Sequence, residues 1–380
     1  MNFGELRSSV RPVAEAIAAS LAMPGSGLLR VEALITMVGV EPNIDLKVEI
    51  LSIHLALGTA SPGTAELLRW VNDARAALGR GANPVHRQHI ISKKVLANFA
   101  SLPSGGSARR RGDVQPFDVG LGRRGKKKGP GGIAYIENFI KVDSHRIEEL
   151  WQTVENGMHR ACAVAGTGEA IGDSETMETL RKAVFLHLVR NPAHFESHKL
   201  AWEKVVADAE AATRPSVLLG SHGLPLAGAA RRGGRLDGLQ EKGALFRLSV
   251  ERDFWKWSER LALAPIEFVR PKAESEFLIG DVPVLGYRQL DGAAAPVTAI
   301  GLRNCDSLIF PIGKDLMLRL HLVDRGKSRI AIADAEQVER FNQHQVVNAR
   351  RFVYYRPDAG FEERIASWRG DAGRPEREAR

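Results

Sequence analysis

The hydrophobic period of this chain changes along its length, and that change limits what it can fold into. Leu6, Val10, Val13, Ile17 and Leu21, then Leu67, Val71, Ala74 and Leu78, recur at three- and four-residue steps, the spacing of amphipathic helices. The same step runs from Asp143 to about Ala165, with Ile147, Trp151, Val154, Met158 and Cys162 on one face. It returns from Ser174 through Thr213, where Pro192 removes a backbone donor and predicts a kink near Arg190. After Phe246 the signal turns to short β-like runs: Ile266–Val269, Glu276–Ile279, Ser307–Pro311, Leu316–Leu322 and Arg329–Ile332. Asp334, with Gln337 at capping-box spacing, starts a last helix to about Asn348, and Phe352–Tyr355 reads as a final strand. Helices first and strands last suggest an α+β chain.

Gly79–Pro84 reads as a linker. The expected organisation is an N-terminal all-helical module over 1–82, suited to docking a protein partner. A mixed α/β body over 83–360 follows, with long helices and a C-terminal small sheet, and then a polar tail over 361–380. Gly220–Gly243 is expected to be a loose loop.

Charge is concentrated rather than spread. The chain carries 53 Lys+Arg against 45 Asp+Glu, a formal charge of +8. Most of that excess sits in a Gly-rich segment, 101–132, which holds Arg109, Arg110, Arg111, Arg123, Arg124, Lys126, Lys127 and Lys128 against Asp113 and Asp118. Such a cationic loop suits the phosphates of DNA or RNA. Gly120–Lys127 nearly spells a phosphate loop, but Lys127 stands where Ser or Thr would bind magnesium, and no helix start follows. Two cysteines, Cys162 and Cys305, exclude a disulfide framework and fit a reducing cytoplasm. No uncharged apolar run is long enough for a membrane span.

One segment, Gln88-His89-Ile90-Ile91-Ser92-Lys93-Lys94-Val95-Leu96-Ala97-Asn98-Phe99, resembles the opening motif of a family without an established activity, domain of unknown function 4238. His89, Leu96 and Phe99 match that motif, whereas Ser92 replaces its proline and Val95 its aromatic residue. Later landmarks keep the family's order: Glu148 and Glu155, Arg190-Asn191-Pro192, Phe277–Val284 with Gly280 in place of Ser, Phe310-Pro311-Ile312, and Asn342 and Asn348. The resemblance covers about residues 86–355 and implies an ordered polar set without assigning it a reaction.

The residues themselves name candidates. His89 precedes an apolar helix and can act as a general base or ligand. Glu148, Gln152, Glu155 and His159 fall on one helical stripe, where carboxylates and an imidazole could position a divalent ion or a proton, or simply face water. Arg190 suits a carboxylate or phosphate. Asp281 lies at a strand-to-turn junction, as a catalytic carboxylate or as a turn former. His187, His194 and His198 share a stripe, but no metalloprotease pattern accompanies them.

The preferred expectation is a bacterial, cytoplasmic, nucleic-acid-directed hydrolase of nuclease type, an effector in conflict or phage defence. His89, Glu148, Glu155, Arg190 and Asp281 would form its site, with a divalent metal as candidate cofactor. The alternatives are a noncatalytic nucleic-acid-binding or interaction module, and an enzyme acting on a small phosphorylated or acidic metabolite.

Overall fold

A computed structural model describes residues 85–101, 112–142, 144–212, 243–272, 274–288, 294–323 and 326–371. The helical module expected over 1–82, the cations Arg109, Arg110 and Arg111, and most of the Gly220–Gly243 segment lie outside them. The chain divides into two compact units. One holds Met1–Ala82, Lys141–Asp143 and Leu200–Leu248; the other holds Asn83–Ile140, Ser144–Lys199 and Ser249–Arg380. Every candidate residue within the described segments belongs to the second unit.

That unit begins with β1 (Arg87–His89) and the short helix α1 (Lys93–Ala97), capped by Ser92, whose hydroxyl accepts from the Lys94 N–H at 3.2 Å. Strands β2 (Gln115–Asp118), β3 (Arg123–Arg124) and β4 (Tyr135–Glu137) follow. The long helix α2 (Ser144–Thr167) buries Ile147, Trp151, Val154 and Met158, as the sequence period requires. Helix α3 (Ser174–Val189) and helix α4 (Pro192–Ala212) replace the single kinked helix expected there. Pro192 takes the first position of α4, where a missing N–H costs nothing, and the Asn191 carboxamide oxygen accepts from the His194 N–H at 3.0 Å. The proline therefore starts a helix instead of bending one.

Helix α5 (Ala244–Arg260) was not foreseen. Its Phe-Arg-Leu-Ser-Val segment alternates like a strand, but Val250, Phe254 and Ser258 are buried at four-residue steps. After it come β5 (Ile266–Pro271), β6 (Ile279–Gly280), β7 (Leu285–Tyr287), β8 (Ala294–Pro296), the single turn α6 (Val297–Ile300), β9 (Ser307–Gly313), β10 (Leu316–His321) and β11 (Arg329–Ala333). Helix α7 (Ala335–Asn348) carries the expected capping box between Asp334 and Gln337, and β12 (Phe352–Tyr355) follows. Helix α8 (Glu362–Asp371) occupies much of the stretch expected to be a polar tail, because Phe361, Ile365 and Trp368 are core residues.

The body is a mixed α+β structure, but the strands do not form one small sheet. Six of them form a sheet in the order β11-β5-β10-β9-β7-β8, antiparallel except where β11 runs parallel to β5. Four more run in the order β3-β2-β12-β6, and β1 pairs only with β4. Non-local pairing explains the difference, since β2 and β12 lie more than two hundred residues apart and no local signal joins them.

One face of the large sheet packs Val269, Leu285, Ile309 and Met317 against Val338 and Phe341 of α7. A second core joins Phe117, Val353 and Tyr355 to Phe361, Ile365 and Trp368. Helix α7 also serves the edge of β6: Asn342 accepts from the Leu278 N–H and Gln345 from the Gly280 N–H, both at 2.9 Å. A Cβ at Gly280 would stand 3.0 Å from the Gln345 carbonyl oxygen, so this approach favours glycine there. No helix among the described residues is long and apolar enough to cross a membrane.

Candidate functional site

His89 is the last residue of β1 and pairs with Tyr135 of β4, the two rings lying 5.9 Å apart. Buried Ile90 and Ile91 anchor the chain beyond it, and Ser92 then caps α1, so the imidazole is held at a strand-to-helix junction. The backbone of Gly131 accepts a hydrogen bond from the ring. The ring's Nε2 is buried and has no partner among the described residues; the bond to Gly131 therefore uses Nδ1–H, and the Nε2 lone pair is left to accept.

The carboxylates come from α2. Glu148 and Glu155 are half-buried on either side of Trp151, whereas Gln152 and His159, on the same expected stripe, are exposed. Arg190 caps the C-terminus of α3 with its side chain only 1% exposed. Its Nη1 donates to Glu155 Oε1 at 2.6 Å, its Nη2 faces His187 Nε2 at 3.1 Å, and its guanidinium lies 5.2 Å from the Trp151 ring centre. An arginine engaged on three sides is not an open phosphate clamp; it orients the groups around it.

His187 completes the arrangement. Its Nδ1 faces the Ala183 carbonyl at 2.7 Å, so that nitrogen carries the proton. Nε2 then accepts from both the Ser92 N–H, at 3.0 Å, and Arg190. Burial, followed by the Arg190 charge, holds this imidazole well below its ordinary pKa, and so neutral. One residue thus ties β1 and α1 to the end of α3.

The same three charges, Lys93, Arg190 and Glu155, act on both His89 and Glu148. Burial, then Lys93, lowers His89 from 6.5 to about 4 despite the Gly131 bond. Burial raises Glu148 from 4.5 to about 7, with Arg190 opposing and Glu155 adding to the rise. Between those values both groups are neutral, the imidazole able to accept a proton and the carboxyl able to give one. Glu148 Oε1, Trp151 Nε1 and Arg190 Nε join His89 Nε2 as buried polar atoms without a partner among the described residues. Each costs about 1–3 kcal/mol if left unmet, which makes these residues the candidate site.

Four of the five candidates therefore meet, and Asp281 does not join them. It is absent from the charges that act on His89 and Glu148. Its carboxylate accepts from the N–H groups of Arg350, Arg351 and Phe352 at 2.7, 2.8 and 3.0 Å. Asp281 fixes the start of β12, a long-range structural role in place of the local turn-forming one that the sequence offered. The carboxylates do not suit a divalent ion either. Glu155 already holds a guanidinium, whose positive charge would repel a cation, and no group of three or more His, Cys, Asp or Glu residues among the described residues could hold one.

The expected cationic loop is structured over residues 112–132. Arg123 and Arg124 form β3 against Asp118 and Phe117, Arg124 pairs with Glu362 at 2.5 Å, and Lys127 pairs with Asp358 at 3.2 Å. Arg123, Lys126 and Lys128 stay exposed. A β-strand where a phosphate loop would need its turn disposes of that resemblance. The hairpin runs directly into the Pro130–Gly132 turn that touches His89. Sequence reasoning missed Lys93 and the bridging role of His187. The one signal for the latter was the His187–Arg190 spacing of one helical turn.

Residues 240–359 match the model of a family described as a protein of unknown function, DUF4238. No curated protein and no solved structure matches the chain. The matched stretch contains Asp281 and all six strands of the large sheet, while His89, Glu148, Glu155 and Arg190 precede it.

Proposed function

We propose that the chain cleaves phosphodiester bonds of nucleic acid by general acid–base catalysis, with His89 as base and Glu148 as acid. One observation carries this reading. Two buried atoms of opposite proton role, His89 Nε2 and Glu148 Oε1, have no partner among the described residues, and their groups respond to the same three charges. Lys93, exposed on the first turn of α1, is an accessible cation that acts on both and suits a phosphate oxygen. Arg190 and His187 hold the frame. Arg123, Lys126 and Lys128 extend positive charge along the hairpin that leads to His89, which favours a polyanion over a small metabolite. No protein-bound metal takes part in this scheme.

The test uses the full chain with end-labelled single-stranded RNA and DNA in the presence of a chelator. Cleavage is expected, with His89→Ala and Glu148→Gln each slowing it by about 100-fold or more while binding persists. Lys126→Glu with Lys128→Glu should weaken binding and flatten its dependence on salt. Binding without cleavage between pH 4 and pH 8 would return the chain to the noncatalytic alternative.

A further inference from the structure

We infer that two copies of the chain pair edge to edge through β11, antiparallel, and so join their six-stranded sheets into one. The large sheet is bounded by β11 and β8. Strand β8 is three residues long and ends in Pro296, which cannot donate to a further strand. The smaller sheet ends on β3, whose two residues are arginines, and on β6, also of two residues. Short strands, proline and charge are the means by which proteins blunt an edge. Strand β11 carries no such guard. It is five residues long, Arg-Ile-Ala-Ile-Ala, and its one charge, Arg329, is drawn onto Glu267 of β5 at 2.8 Å.

The register fixes which side chains a partner strand meets. Ala331 and Ala333 lie beside Val269 and Pro271 of β5, and Val269 and Ala333 face α7 in the core. Ile330 and Ile332 lie beside Phe268 and Arg270, and therefore project from the opposite face. There Ile330 is 42% exposed and Ile332 64%, an apolar pair that a strand laid along the edge would cover. The outward N–H and C=O groups of an edge strand are a template for such pairing.

A second copy of the chain fits this edge. In an antiparallel pair with its twofold axis at Ala331, Ile330 of each copy stands opposite Ile332 of the other on the same face, so two isoleucine pairs form. Moving the axis to Ile330 or Ile332 opposes that residue to itself and leaves the other isoleucine facing Ser328 or Asp334. The charges agree with the antiparallel sense. Exposed Lys327 precedes β11, and exposed Asp334 and Glu336 follow it. Antiparallel pairing therefore sets the basic end of each strand against the acidic end of the other, whereas parallel pairing would set like against like.

The contact is short, so the dimer is expected to be weak, with a Kd on the order of 10 µM. Sedimentation equilibrium of the full chain reads it: at about 200 µM the mass should approach twice that of one chain. Ile330→Lys with Ile332→Lys opposes lysine to lysine twice and should raise Kd by about 10-fold or more, as should Ile330→Glu with Ile332→Glu. Mixed in equal amounts, the two double variants oppose lysine to glutamate and should associate at least about 10-fold more tightly than either alone. That recovery also shows that both variants are folded. Higher salt should weaken the mixed dimer more steeply than the wild-type one. A wild-type chain that stays monomeric at about 200 µM overturns the pairing and leaves the edge to a different partner. A dimer indifferent to the lysine pair, or a mixture that associates no better than its components, overturns it as well.

Discussion

Replacing Glu148 with Gln should stabilise the protein while disabling it, and only above a defined pH. Burial holds this carboxyl at about 7 instead of 4.5, so ionising it at neutral pH costs folding free energy. At about 1.4 kcal/mol per pH unit the ceiling is about 3.4 kcal/mol. The side chain keeps part of its contact with water, which reduces the expected gain to roughly 2 kcal/mol. The sign follows from linkage. With a folded pKa above the unfolded one, the carboxyl's favourable contribution is complete below 4.5 and is lost as pH rises through about 7. Glutamine does not titrate and approximates the protonated form in shape. Urea unfolding of both proteins, followed by tryptophan fluorescence, should give equal stabilities at pH 4. At pH 8 the variant should be ahead by roughly 2 kcal/mol. Equal midpoints at pH 8, or a gap that does not change with pH, would show that Glu148 is an ordinary solvated carboxylate.

The other expectations are more local. The pH dependence of kcat/KM for cleavage should rise through about 4 as His89 loses its proton and fall through about 7 as Glu148 ionises; a flat profile over that range would argue against the pair. Asp281→Ala should leave the N–H groups of Arg350, Arg351 and Phe352 without their acceptor. The cost should be about 3 kcal/mol or more in a denaturation experiment, with the pKa of Glu148 unchanged because Asp281 does not act on it. His187→Phe removes the acceptor shared by Ser92 and Arg190. A loss of about 2–4 kcal/mol is expected, together with faster hydrogen exchange at the Ser92 amide; unaltered exchange there would mean the bridge does not hold that junction.

Much of the fold was legible where a local period or cap decides it. The apolar face of α2, the capping box at Asp334 and the β5, β9 and β10 runs followed from the order of residues alone. Failures arose where long-range pairing or burial overrules local pattern. Strand β2 finds β12 across most of the chain, α5 contains a strand-like alternation, and α8 looks polar although it buries Ile365 and Trp368. The site divides in the same way. His89, Glu148, Glu155 and Arg190 stood out by their places, ahead of an apolar helix, on one helical stripe and beside a proline. Asp281 stood out at a strand-to-turn junction, yet three backbone amides at the start of β12 satisfy it. His187 and Lys93 gained significance only when folding set one behind Arg190 and the other beside His89.

The physical core of the proposal is a carboxyl that remains protonated near neutral pH while an imidazole subject to the same charges stays unprotonated. Selective ¹³C labelling of glutamate, with assignment by the Glu148→Gln variant, allows the Glu148 carboxyl to be followed directly by NMR as pH is raised. A titration midpoint near 7 is expected, moving upward when Arg190→Met removes the charge that opposes the rise. A midpoint near 4.5 would leave no acid in the cluster to donate the proton that cleavage requires.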